Sequence, residues 1–203
     1  MVLTERQNDA LSELINIAFA RTGAALSELT GQRVILSPPN VSMHRTVDLP
    51  EALAAFIPGE VASIHQVFAG PVAGDALLLL NHDGAVELTS LLVEDPIPSA
   101  YLDESAREVL TEVGNILLNA CLGMFGNLLK VHVSFSVPRL HLESLDELVA
   151  SLITDDDRRY ALVVATAFQV RDSQVSGFLV MALSVASLDR LLYEVEAWEG
   201  RQF

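Results

Sequence analysis

The sequence carries a single cysteine, Cys121, in 203 residues. That excludes an internal disulfide and fits a reducing compartment. Positive charge is scarce: 12 Lys and Arg stand against 27 Asp and Glu, for a formal net charge of −15 and a pI near 4.5. A molecule of that sign repels nucleic acid and anionic lipid, so neither is expected as a partner. The N-terminal run Met-Val-Leu-Thr-Glu-Arg-Gln lacks the basic region and apolar core of a signal peptide. The longest stretch without charge, Val113–Leu129, holds Asn115, Asn119 and Asn127, and reads as a buried helix and not as a membrane span. A cytoplasmic location is therefore expected.

Familiar catalytic motifs are missing as well. The five histidines, His44, His65, His82, His132 and His141, show no i, i+4 or His-x-x-His grouping, so no metal site is expected. No Gly-x-Ser-x-Gly elbow and no Gly-x-x-x-x-Gly-Lys loop occurs. Cys121 sits between Ala120 and Leu122 and reads as a packed core thiol. Acidic runs such as Asp155-Asp156-Asp157 read as solvated turns.

What is present in quantity is apolar side chain: 51% of the residues, with a mean hydropathy of +0.38, enough for a substantial core. Thr4 with Gln7 forms a capping box, and an apolar set from Leu11 to Leu29 recurs at helical spacing before Gly31. One helix over about 4–30 is predicted. Val34–Ser37 reads as a strand closed by Pro38-Pro39, and Pro50 opens a short helix through Phe56. Strands near Val61–Phe68 and Asp75–Asn81 flank Gly70-Pro71 and Gly74 as an antiparallel hairpin, and Ala85–Glu94 reads as a helix. The proline-rich segment Glu94–Ser99 is the one linker candidate.

The same order then recurs. A helix is predicted over Asp103–Leu129, a strand over His132–Val137, a short helix over Leu145–Leu152, strands near Tyr160–Val170 and Val175–Leu183, and a helix over Ala186–Trp198. Two Leu-x-x-Leu-Leu runs, at 88–92 and 188–192, close the two halves. The expected fold is α+β: a pseudo-twofold duplicated unit with a six-stranded, largely antiparallel sheet and two long motif helices. Repeat 1 covers about 1–95 and repeat 2 about 100–203, paired in a single domain over 1–203, with the linker a crossover inside it.

Within the duplication one pattern stands out. Asp9, Glu13 and Asn16 are followed by Pro39, and Glu108, Glu112 and Asn115 by Pro138, every position shifted by 99 residues. At about 100° per residue each acid-acid-amide set lies on a single helical stripe. An ordinary solvated face has the same spacing. Two features argue against that plain reading. Asparagine is a poor helix residue where a surface would favour Lys, Glu or Ala, and the distance to the proline is kept in both halves.

The pattern resembles the signature of the CheC/CheX/FliY chemotaxis phosphatases: Asp or Ser, three residues, Glu, two residues, Asn, 22 residues, Pro. Asp9, Glu13, Asn16 and Pro39 fit it in full, and Glu108, Glu112, Asn115 and Pro138 fit except at the first position. The runs Glu112-Val-Gly-Asn-Ile-Leu and Phe68-Ala-Gly-Pro-Val-Ala-Gly-Asp also look like CheC, and two motif copies point to that branch. A flagellar-switch component like FliY is less expected, since no switch-binding domain follows Trp198. In the first copy Ile15 stands where the family tends to have glycine; a branched side chain there would hinder a partner's approach, or cost the site nothing if it points into the core, as the apolar set Leu11, Leu14, Ile15 and Ala18 suggests. Gly114 in the second copy would allow a partner's backbone close to Asn115.

The resemblance implies a protein-aspartyl-phosphate phosphatase that acts on a phosphorylated CheY-like response regulator. Asn16 and Asn115 would orient water, and Glu13 and Glu112 would pair with a lysine of the partner or act as bases. Asp9 and Glu108 would dock, and Pro39 and Pro138 would be structural, ending the strand beside each helix. No cofactor of its own is implied, since Mg²⁺ would come with the partner. The alternative is a non-catalytic module that sequesters phospho-CheY or the receptor deamidase CheD.

Overall fold

The computed structural model describes residues 3–92, 102–130, 132–152, 159–170 and 172–199. The expected linker at 94–99 and the acidic run at 155–157 fall outside them. Two helices of equal length, α1 (Glu5–Thr30) and α4 (Glu104–Leu129), dominate the chain and are offset by 99 residues. Both begin on a cap. Thr4 Oγ1 accepts from Gln7 N while Gln7 Oε1 accepts from Thr4 N, and Asp103 Oδ1 accepts from Ala106 N. Gly31, at φ 66°, ends α1 in the left-handed conformation that lets the chain turn back.

Between and after the long helices come β1 (Val34–Leu36), β2 (Asn40–Arg45), α2 (Leu49–Leu53), β3 (Glu60–Ala69), β4 (Gly74–Asn81) and α3 (His82–Leu92). Then follow β5 (Ser134–Phe135), β6 (Arg139–Ser144), α5 (Leu145–Leu152), β7 (Arg159–Val170), β8 (Ser173–Ser184) and α6 (Val185–Glu199). The two hairpins and the helices are those expected from the sequence, within a few residues. Strands β2 and β6 were not expected: the prolines read as strand terminators are breaks after which the chain resumes pairing. β1 and β2 run along successive stretches of β7, and β5 and β6 along successive stretches of β3. A proline has no N–H to give a ladder, so Pro39 and Pro138 interrupt an edge strand without ending it.

Eight strands thus occupy six positions, all antiparallel. The order across the sheet is β1/β2, β7, β8, β4, β3, β5/β6. The edge strands are exchanged: those of the first half pair with the second half's hairpin, and the reverse. One rung shows the symmetry. Val41, Val164, Leu179, Leu78, Ile64 and Leu140 lie opposite one another in turn. Reading outward from the centre, its pairs are 78 with 179, 64 with 164, and 41 with 140, so a pseudo-twofold axis passes between β4 and β8.

Alternation along the strands feeds two cores. Ala62, Ile64, Leu78, Leu80, Leu162, Val164, Leu179 and Met181 face the layer of α1, α3, α4 and α6. Val61, Leu77, Leu79, Val163, Phe178 and Val180 face α2 and α5 on the other side. The closing helices seat the repeated leucines, with Leu88, Leu92, Leu188, Leu191 and Leu192 all buried.

The two positions that precede the motif asparagines both face inward. Ile15 is 1% exposed. Gly114 is buried against β3, where an added Cβ would stand 2.5 Å from Ile64 Cγ2 and 2.8 Å from Ile64 Cβ. The glycine therefore admits Ile64 and the sheet, and it does not open the surface to a partner. Ile15, for the same reason, obstructs nothing outside. Gly114→Ala is expected to destabilise the fold by about 1–3 kcal/mol through overpacking, measured by urea unfolding. Helix propensity alone implies a gain of about 1 kcal/mol, so a more stable variant would show that Ile64 does not set the contact.

Candidate functional site

On α1 the residues Leu11, Leu14, Ile15, Ala18 and Phe19 are buried, and this inward face fixes what lies outside. Asp9, Glu13 and Asn16 fall on the opposite side and are all exposed. On α4 the inward residues are Leu110, Val113, Leu117, Leu118 and Cys121. Glu108 and Glu112 are exposed and Asn115 is half-buried. α1 and α4 pack against each other and against one face of the sheet, so the stripes sit on neighbouring elements of one layer. The structure thus places each set of three on one helix surface, as the spacing predicts.

Pro39 and Pro138 lie elsewhere, at the edge-strand breaks, and the contacts there explain the kept distance from asparagine to proline. Two residues before Pro138, Ser136 N donates to the Val67 carbonyl (2.9 Å), and the Ser136 carbonyl accepts from Gln66 Nε2 (2.8 Å). Two residues before Pro39, Ser37 N donates to the Ala167 carbonyl (2.9 Å), and the Ser37 carbonyl accepts from Thr166 Oγ1 (3.2 Å). Each break is held by one backbone bond and one side chain from the strand alongside, and the break at Pro138 also by Val67 N, which donates to Ser136 Oγ (3.0 Å). Those side chains, Gln66 and Thr166, point into the helix layer at equivalent places.

From there the two copies differ. Gln66 Nε2 also donates to Asn119 Oδ1 (3.1 Å), and Asn119 Nδ2 donates to Asn115 Oδ1 (2.6 Å). In the first copy Ala20 occupies the place of Asn119, and Asn16 makes no side-chain hydrogen bond among the described residues. Sequence reading passed over Gln66 and Asn119. The available signal was an asparagine one turn after the motif asparagine, in the uncharged stretch of the helix.

Nothing near the stripes offers nucleophilic chemistry of its own. Cys121 is buried in α4, and burial pushes its thiol up to about 12, which leaves it protonated at neutral pH. Among the described residues no three His, Cys, Asp or Glu side chains gather as a metal group. No described helix is long and apolar enough to cross a membrane. An open cleft of about 610 Å³ lies on the opposite sheet face, lined by His65, Val67, Arg139, His141 and Glu143, and it includes none of the stripe residues. His65 is held there by Asp75 at 2.9 Å. What the stripes present is a convex helix surface with acids and an amide. Such a surface can orient a water or meet a cation, but cannot enclose a small substrate.

No protein-family model matches the chain. Among curated proteins it is 23% identical to the CheY-P phosphatase CheC of Bacillus subtilis over 203 residues, covering 96% of each chain. It is 22% identical to the flagellar motor switch phosphatase FliY of the same organism over 184 residues, which are 89% of this chain and 47% of that protein. Among solved structures, Thermotoga maritima FliY superposes with a TM-score of 0.79 at 18% identity, over 98% of this chain and 100% of that one. In its exposed acid-acid-amide stripes, its end-to-end likeness to CheC and its fold, this chain is similar to proteins of the CheC/FliY type.

Proposed function

We propose that the chain is a phosphatase acting on the aspartyl phosphate of a CheY-like response regulator. The observation that carries the reading is the exposed carboxylate and amide stripe, present twice, on a surface without nucleophile, metal group or enclosing pocket among the described residues. Such a surface suits a substrate that brings most of its own active site. The relatives CheC and FliY, named as phosphatases, support the reaction class.

The chemistry asked of the protein is then modest. In an acyl phosphate the leaving group is a carboxylate, so no strong general acid is required. Water attacks phosphorus in line, the bond from phosphorus to the aspartyl oxygen breaks, and the products are the free carboxylate and inorganic phosphate. The step is limited by holding that water in line. Asn16 or Asn115 performs this task, because an amide offers a donor and an acceptor and adds no charge against the phosphoryl oxygens. Glu13 and Glu112, one turn earlier, meet a cationic group of the partner and fix register. Asp9 and Glu108, a further turn back, extend the docking surface. Mg²⁺ comes with the phosphorylated partner, whose own charges it neutralises.

The test is phosphate release from receivers phosphorylated beforehand, with this protein well below stoichiometry. Acceleration over spontaneous hydrolysis is expected, whereas a sequestering module, whether for the phospho-receiver or for CheD, gives none. Asn16→Ala combined with Asn115→Ala should abolish the acceleration and cost about 0.5–1.5 kcal/mol of stability, the worth of the hydrogen bond that Asn115 accepts from Asn119. Full activity in that double variant would refute the assignment. Glu13→Gln with Glu112→Gln should chiefly raise KM for the phospho-receiver, and a fall in kcat at unchanged KM would instead make the glutamates bases.

A further inference from the structure

We infer that Asn119 and Gln66 are positioning residues for Asn115, which fix the amide of the second motif in one orientation, while the first motif has no such device among the described residues. The inference rests on the proposed role of Asn115 as the water-orienting group, and it adds residues that the motif does not contain.

The argument begins at a backbone carbonyl. An amide side chain can be turned over without changing its shape, so its orientation is decided by what it faces. Gln66 faces the carbonyl of Ser136 at 2.8 Å. A carbonyl only accepts, so the Gln66 nitrogen must point to it, and turning Gln66 over would set two oxygens against each other. The same nitrogen has a second proton, directed at Asn119 at 3.1 Å, which obliges Asn119 to present Oδ1. Asn119 then has only its nitrogen left to face Asn115, at 2.6 Å, and Asn115 must answer with Oδ1. The polarity of one peptide group in the edge strand is passed through three side chains to the surface. Asn115 is left with one lone pair of Oδ1 in use and with no partner for Nδ2 among the described residues.

Burial makes the relay firm. Gln66 is 1% exposed, Asn119 and Asn115 are half-buried, and a hydrogen bond shielded from water is costly to break. Gln66 keeps its orientation although its own Oε1 finds no partner among the described residues. In the first copy, Thr166 occupies the equivalent strand position and its hydroxyl is committed to the Ser37 carbonyl, while Ala20 breaks the chain at the helix. Asn16 must therefore be ordered by the substrate at each encounter, and Asn115 is ordered beforehand.

Ordering one side chain is worth about threefold to tenfold in rate where that order is needed in the transition state. The experiment uses the full chain at pH 8, with Asn16→Ala silencing the first motif and a receiver phosphorylated by acetyl phosphate as substrate. Asn119→Ala, which copies Ala20, should lower kcat about threefold to tenfold and leave KM unchanged. Asn119→Asp keeps an acceptor for Gln66 but can no longer donate to Asn115, so the amide turns over and kcat should fall at least as far. With Asn115→Ala in place of Asn16→Ala, the same changes at Asn119 should have no effect, which separates positioning from a general defect of fold. NMR of the side-chain amides supplies a readout independent of turnover: the Asn119 protons should exchange with water much more slowly than those of Asn16. Unchanged kcat in both Asn119 variants, or equally fast exchange of Asn119 and Asn16, overturns the inference. If instead the double asparagine variant is fully active, the catalytic reading fails while the exchange rates still decide whether the relay exists.

Discussion

The pairing of β4 with β8 at the centre of the sheet is the constraint on which the rest of the structure depends. Leu78 opposite Leu179 sets the register in which the two hairpins pair among the described residues, and every outer strand is placed by counting from it. Because side chains alternate with a period of two, a slip by one residue would turn one of the two sets, Leu78 with Leu80 or Leu179 with Met181, away from the helices and toward α2 and α5. The exchange of edge strands tightens the constraint. Neither hairpin has a partner on its outer side until the opposite half supplies one, so each half leaves an open edge when taken alone. The sites inherit this dependence. Asn115 stands on a helix of the second half, and the strand beneath it, β3, belongs to the first.

Most of this frame is legible in the sequence, for identifiable reasons. The long helices announce themselves by caps at Thr4 and Asp103 and by apolar residues at helical spacing, and the hairpins by Gly70-Pro71 and Gly74. The edge strands β2 and β6 are not legible, because Asn40–Arg45 and Arg139–Ser144 are mixed in polarity and half-exposed along much of their length. An edge strand leaves one row of backbone groups to solvent and needs no apolar run, so proline dominated the reading there. The stripes were visible as a spacing, but the meaning of the neighbouring position was not. Gly114 looked like an opening in the surface, and only the 2.5 Å that would separate an added Cβ from Ile64 Cγ2 shows that it faces the sheet.

The placement of the candidate site follows from the same economy. A buried catalytic centre would require polar groups inside a core built almost wholly from aliphatic side chains, each group needing its own partners. Here the charged members of both stripes remain in water, and the helices' inner faces are free to pack. Gln66, a polar side chain buried in the helix layer beneath the second stripe, is admitted where an edge strand is broken by proline and a carbonyl would otherwise go unanswered. A defect in the ladder is thereby joined to the surface.

That junction bears on why two motifs persist on one chain without being equal. The twofold frame holds α1 and α4 at equivalent places, so both copies keep the backbone, the exposed acids and the amide. It does not constrain the layer beneath, where Gln66 and Asn119 face Thr166 and Ala20 across the axis. Either set completes its strand break, since a hydroxyl satisfies the Ser37 carbonyl as an amide satisfies that of Ser136. The fold accommodates both solutions, and they differ in how much freedom the surface asparagine retains. Two sites with the same groups and unequal preorganisation need not respond alike to one substrate. An amide fixed in advance favours the geometry it is fixed in, and an amide left free can adapt to partners that present the phosphoryl group differently.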